Sequence, residues 1–121
     1  MKIATDINQS KELAEILPKE SADMYYWYDG SRYYLASMDD GDFVRGKDIA
    51  AWSLSALLEQ IPSDIGSSTL TIDKCDSEPF KYGLDYHDRW GREDDIQTKY
   101  YDDLVDACVE MIKKLKKENK L

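Results

Sequence analysis

The sequence predicts an α+β fold: an antiparallel β-sheet of four or five strands with helices packed on one face, in the order α-β-β-α-β-β-β-α. Three observations carry that expectation. Apolar residues recur at helical spacing in three separate stretches. Two aromatic-rich runs flank the turn dipeptide Asp29-Gly30. A third run, Phe80–Tyr86, alternates apolar and polar side chains with the period of a strand. The chain has 121 residues, 42% of them hydrophobic and 34% charged, which is the size and composition of one folded domain spanning 1–121.

The first helix is expected over residues 6–17. Asp6 can cap it with Gln9 as capping-box partner, Leu13, Ile16 and Leu17 share a face, and Pro18 ends it. Met24–Met38 reads as a β-hairpin. Met24, Tyr26, Tyr28, Tyr33 and Leu35 fall on one face, and Tyr25, Trp27, Tyr34 and Ala36 on the other. The first face, with its aliphatic partners, is expected against the helices, and the Tyr25–Trp27–Tyr34 side is expected to be the more exposed. Asp39–Asp48 reads as a loop. Ser53 then caps a short helix whose Leu54, Leu57, Leu58 and Ile61 keep strict helical spacing up to Pro62. Three more strands are expected at Leu70–Cys75, Phe80–Tyr86 and Ile96–Tyr100, with a polar loop over His87–Asp95. The last helix, Asp102 to Glu118, carries the apolar stripe Leu104, Cys108, Met111 and Leu115. Aspartates at its start and lysines at its end complement the helix dipole, which accounts structurally for the lysine cluster.

The formal net charge is −9. Such a surface repels phosphate backbones, so direct nucleic-acid binding is not expected, and basic partners or none fit better. No run is long and apolar enough to span a bilayer, and the start of the chain lacks a secretory signal, which points to a cytoplasmic protein. Cys75 and Cys108, 33 residues apart, read as reduced thiols.

Few residues suggest chemistry. His87 is the sole histidine, and Asp85 shares its strand face, but no spacing ties either to a nucleophile. Asp39, Asp40 and Asp42 are adjacent rather than alternating, and Ala50 stands where a calcium loop needs its closing glutamate. Gly41 and Gly46 have P-loop spacing followed by Lys47, but Asp48 replaces the magnesium-binding Ser or Thr. The acids Glu93-Asp94-Asp95 read as a solvated run. A structural zinc site would need four Cys or His ligands, and the chain has only three such residues, widely spaced. No catalytic residue, metal or cofactor is assigned. The feature that remains is the aromatic hairpin, with Tyr25, Trp27 and Tyr34 as partner-binding residues or a homodimer contact.

Three stretches, in this order, resemble a group of small uncharacterised acidic proteins from gut Bacteroidales genomes, prophages and mobile elements. They are Ala22-Asp23-Met24-Tyr25, Trp52-Ser53-Leu54-Ser55-Ala56-Leu57-Leu58 and Asp106-Ala107-Cys108-Val109-Glu110-Met111-Ile112. The resemblance implies a mobile-element setting and a cytoplasmic location. It carries no catalytic residue, and residues 63–101 lie outside it. The leading expectation is a non-enzymatic interaction protein acting as an accessory factor of such an element. The alternative is an acidic mimic of nucleic acid that inhibits a DNA-binding enzyme, with carboxylates standing in for phosphates about 6–7 Å apart. A hydrolase built on His87 comes third.

Overall fold

The computed structural model describes residues 2–39, 46–75, 81–88, 90 and 96–121. Asp40, Gly41 and Asp42, Phe80 and the Glu93-Asp94-Asp95 run, with the expectations placed on them, lie outside the described residues. The described residues form a mixed α+β fold of three α-helices and two three-stranded antiparallel sheets.

α1 spans Ile7–Leu13, shorter than expected. The capping box forms as the sequence proposes: Gln9 N–H donates to Asp6 at 2.8 Å and Asp6 N–H to the Gln9 side chain at 3.0 Å. Past Leu13 the backbone tightens, with Glu15 N–H donating to Glu12 carbonyl three residues back, so the helix ends before Pro18 while Leu17 still reaches the core. A short 3₁₀ turn, Lys19–Ser21, leads into the hairpin of β1 (Met24–Tyr28) and β2 (Tyr33–Ser37).

The single sheet expected from the sequence is instead two. A strand not expected from the sequence, β3 (Ile49–Ala51), pairs with the other side of β1 and completes a sheet in the order β2-β1-β3. Its three residues are too few to show a period. The second sheet, β4-β5-β6, follows α2 (Leu54–Gln60). β4 (Asp64–Ile65) and β5 (Ser68–Lys74) turn about Gly66-Ser67, with Gly66 at φ +59°, and β6 is Tyr82–Asp88. The order is therefore α-β-β-β-α-β-β-β-α, with a triplet of strands before and after α2.

The strand expected at Ile96–Tyr100 does not form. The segment runs beside β6 through isolated bridges, Asp85 with Gln97 and Tyr82 with Tyr101, whose register differs by one residue. Thr98 is the cause. Its hydroxyl, not its carbonyl, takes the N–H of Leu84 at 2.9 Å, which interrupts the ladder.

α3 (Leu104–Lys117) is capped by Asp103, and Leu104, Cys108, Met111 and Leu115 are all buried. It packs against α2 and β6, while α1 packs against β3. Trp52, fully buried between β3 and α2, donates its indole N–H to Ser21 Oγ at 2.9 Å and its backbone N–H to Thr5 Oγ1 at 3.2 Å. The centre of the core therefore leaves no indole N–H unpaired.

The hairpin departs from expectation on its inner side. Met24, Tyr26, Tyr28, Tyr33 and Leu35 are half-buried, and none belongs to the buried core. β3 stands between the hairpin and the helices: Ala50 and Ala51 are buried, and the hairpin hangs on β3 through Met24–Tyr26 alone. The tip, from Trp27 to Tyr34, projects past the end of β3.

Candidate functional site

The tip is built by its turn. Gly30 adopts φ +104°, which a side chain would resist, and Asp29 N–H donates to Arg32 carbonyl at 3.1 Å to close the loop. The Asp29 carboxylate accepts from the backbone N–H of Arg32 at 3.0 Å and of Ser31 at 2.8 Å. Those bonds hold its pKa down at about 2.

The register sets Trp27 across from Tyr34 and Tyr25 across from Ala36, so Tyr25, Trp27 and Tyr34 share one face. Trp27 stacks on Tyr34 with ring centroids 4.8 Å apart and planes 26° from parallel, and Trp27 keeps 40% of its surface exposed. Tyr25 and Tyr34 are half-buried. Arg32 extends the stack: its guanidinium carbon lies 4.7 Å from the Tyr34 ring centre, and its Nε–H donates to the Tyr34 hydroxyl at 2.5 Å. Arg32 stands one residue before β2 and two before Tyr34, the spacing that puts both on one side of an extended chain.

The opposite face of the tip repeats the pattern. Tyr28 and Tyr33 meet at 5.0 Å, and Lys47 Nζ lies 5.4 Å from the Tyr28 ring centre. Tyr26, further along β1, donates its hydroxyl to Thr5 carbonyl at 2.8 Å. Each face of the tip thus ends in aromatic rings topped by a cation, on a chain whose net charge is −9.

His87 and Cys108, also weighed from the sequence, lie on different elements. His87 is exposed on β6, opposite Thr69, with Asp85 on the same face. Cys108 is fully buried on α3, and burial pushes its thiol up to about 12, the reverse of an activated nucleophile. No disulfide joins it to Cys75. Among the described residues no group of three His, Cys, Asp or Glu side chains converges on a metal position. No helix among them is long and apolar enough to cross a membrane. A surface depression of about 330 Å³ near the ends of α1, α2 and α3 is lined by Ile16, Leu17, Pro18, Gln60, Lys116 and Asn119, with no nucleophile or acid–base pair.

No protein family, curated protein or solved structure matches this chain.

Proposed function

We propose that the chain is a non-enzymatic interaction protein that grips another protein through Tyr25, Trp27 and Tyr34. The observation that carries this reading is the Trp27–Tyr34 stack, held outside the core with Trp27 40% exposed. A rigid ring pair loses little conformational entropy on binding, and tryptophan is the commonest anchor of interfaces. Arg32 and Lys47 give the tip a local positive charge, while the Asp29 carboxylate is turned into its own loop. The partner surface that fits is apolar with an acidic rim, although the charge of the whole chain alone would favour basic partners. A cytoplasmic accessory role in a prophage or mobile element remains the setting we propose for it.

The acidic-mimic alternative finds less support. Asp6, Asp23, Asp103, Asp106 and Glu110 accept hydrogen bonds from their own chain, at helix caps and between α1, α3 and the strands. Carboxylates so engaged are poor stand-ins for a row of open phosphates.

The test is capture from extract of the native host with the chain as bait. Trp27→Ala should release the captured protein, and Trp90→Ala, which removes an exposed indole outside the hairpin, should retain it. Equal retention by the wild type and Trp27→Ala would remove the face from the account.

A further inference from the structure

β2 is an edge strand, and its sequence does nothing to discourage another strand from joining it. The order β2-β1-β3 leaves one side of β2 without a neighbour among the described residues. Arg32 carbonyl and Met38 N–H bond to the β1 side, so Arg32, Tyr34, Ala36 and Met38 point their backbone groups inward. By alternation, the N–H and C=O groups of Tyr33, Leu35 and Ser37 point outward. Edges of stable monomers carry lysine, proline or a bulge to block pairing. Tyr33-Tyr34-Leu35-Ala36-Ser37 has no charge and no proline, and pairs with β1 in unbroken register.

We propose that two copies of the chain pair antiparallel through β2 about a two-fold axis at Leu35, joining their sheets into one. Two features favour a second copy. Pairing about Leu35 sets Tyr33 across from Ser37 and Tyr34 across from Ala36, so each large side chain meets a small one, and Leu35 meets Leu35. The outward groups fall in register, giving about six backbone hydrogen bonds across the axis. Closed two-fold pairing of this kind also uses up the edge and stops at the dimer.

This interface is the edge of the sheet, not its aromatic face, and it stands whether or not that face has a partner. If both hold, the two Tyr25–Trp27–Tyr34 faces lie on the same side of the joined sheet and bind together.

The test is sedimentation equilibrium of the full chain, with disulfide trapping. The wild type should be a dimer at micromolar concentration. Leu35→Pro removes an outward N–H and no hydrogen bond to β1, so it should yield a folded monomer, and Ser37→Lys, at an exposed position, should weaken dimerisation at least tenfold. In a Cys75→Ser background, Leu35→Cys should form a disulfide-linked dimer on mild oxidation. Tyr33→Cys should not, because its counterpart lies across from Ser37. A wild type that stays monomeric at hundreds of micromolar overturns the proposal. So does a dimer that survives both edge variants, and one lost only in Trp27→Ala would place the contact on the aromatic face instead. Circular dichroism of each variant separates loss of pairing from loss of fold.

Discussion

At the scale of single residues, burial divides side chains that look alike in the sequence. Trp27 and Trp52 both sit in aromatic or apolar runs, but Trp52 is fully buried and Trp27 is 40% exposed. Helical periodicity identifies Leu104, Cys108, Met111 and Leu115 as core, because a sustained stripe has no other place to go. Nothing comparable marks Trp52, which precedes its helix and owes its place to Thr5 and Ser21. Met111→Ala should cost about 2–5 kcal/mol in equilibrium denaturation, the range for truncating a buried methionine. Cys108 makes a chemical prediction. Since burial pushes its thiol up to about 12, a Cys75→Ser variant should react with a thiol reagent at neutral pH only as fast as the protein unfolds. Rapid labelling of the native state would show that α3 opens locally or that the stripe is misplaced.

At the scale of elements, the hairpin and helices α2 and α3 follow from short-range chemistry. Asp29-Gly30 specifies the turn, and Ser53 and Asp103 cap the helices with their side chains on the backbone N–H groups of Ala56 and Val105. β3, β4 and the segment after Ile96 do not, because each is decided by a distant partner. β3 exists because β1 has a free side, and Thr98 breaks a strand with its hydroxyl. The Tyr25–Trp27–Tyr34 face is readable from alternation alone, whereas its exposure depends on where β3 stops. The Asp29 turn carries a pH dependence of definite sign. Hydrogen bonds from Arg32 and Ser31 lower its pKa from 3.8 to about 2. Its contribution is therefore complete above about pH 4 and is lost as pH falls through about 2. Nuclear magnetic resonance should find the Asp29 carboxyl titrating near pH 2, with hairpin cross-strand contacts weakening in the same range. Asp29→Ala should loosen the tip at neutral pH and leave the α3 core signals in place. A midpoint near 4 would mean that the turn bonds do not form in solution.

At the scale of the whole molecule, the core and the candidate interface are separate constructions. Buried residues of α1, β3, α2, β6 and α3 make one cluster, and the aromatic tip lies outside it. The sequence conveys the class of fold, since helices and strands have different periods. It does not convey the split into two sheets, which rests on a three-residue strand with no pattern of its own. Net charge misleads in a similar way: −9 describes the average surface, while the tip carries Arg32 and Lys47 over its rings. On the function proposed above, Trp27 serves association and Trp52 serves folding. The measurement that reaches it most directly is thermal unfolding of Trp27→Ala and Trp52→Ala, read beside retention of the captured partner. Trp27→Ala should lose the partner and about 1 kcal/mol of stability, the worth of one ring pair, while Trp52→Ala loses about 3–5 kcal/mol. A Trp27→Ala protein that unfolds as easily as Trp52→Ala, and binds as the wild type does, would contradict it.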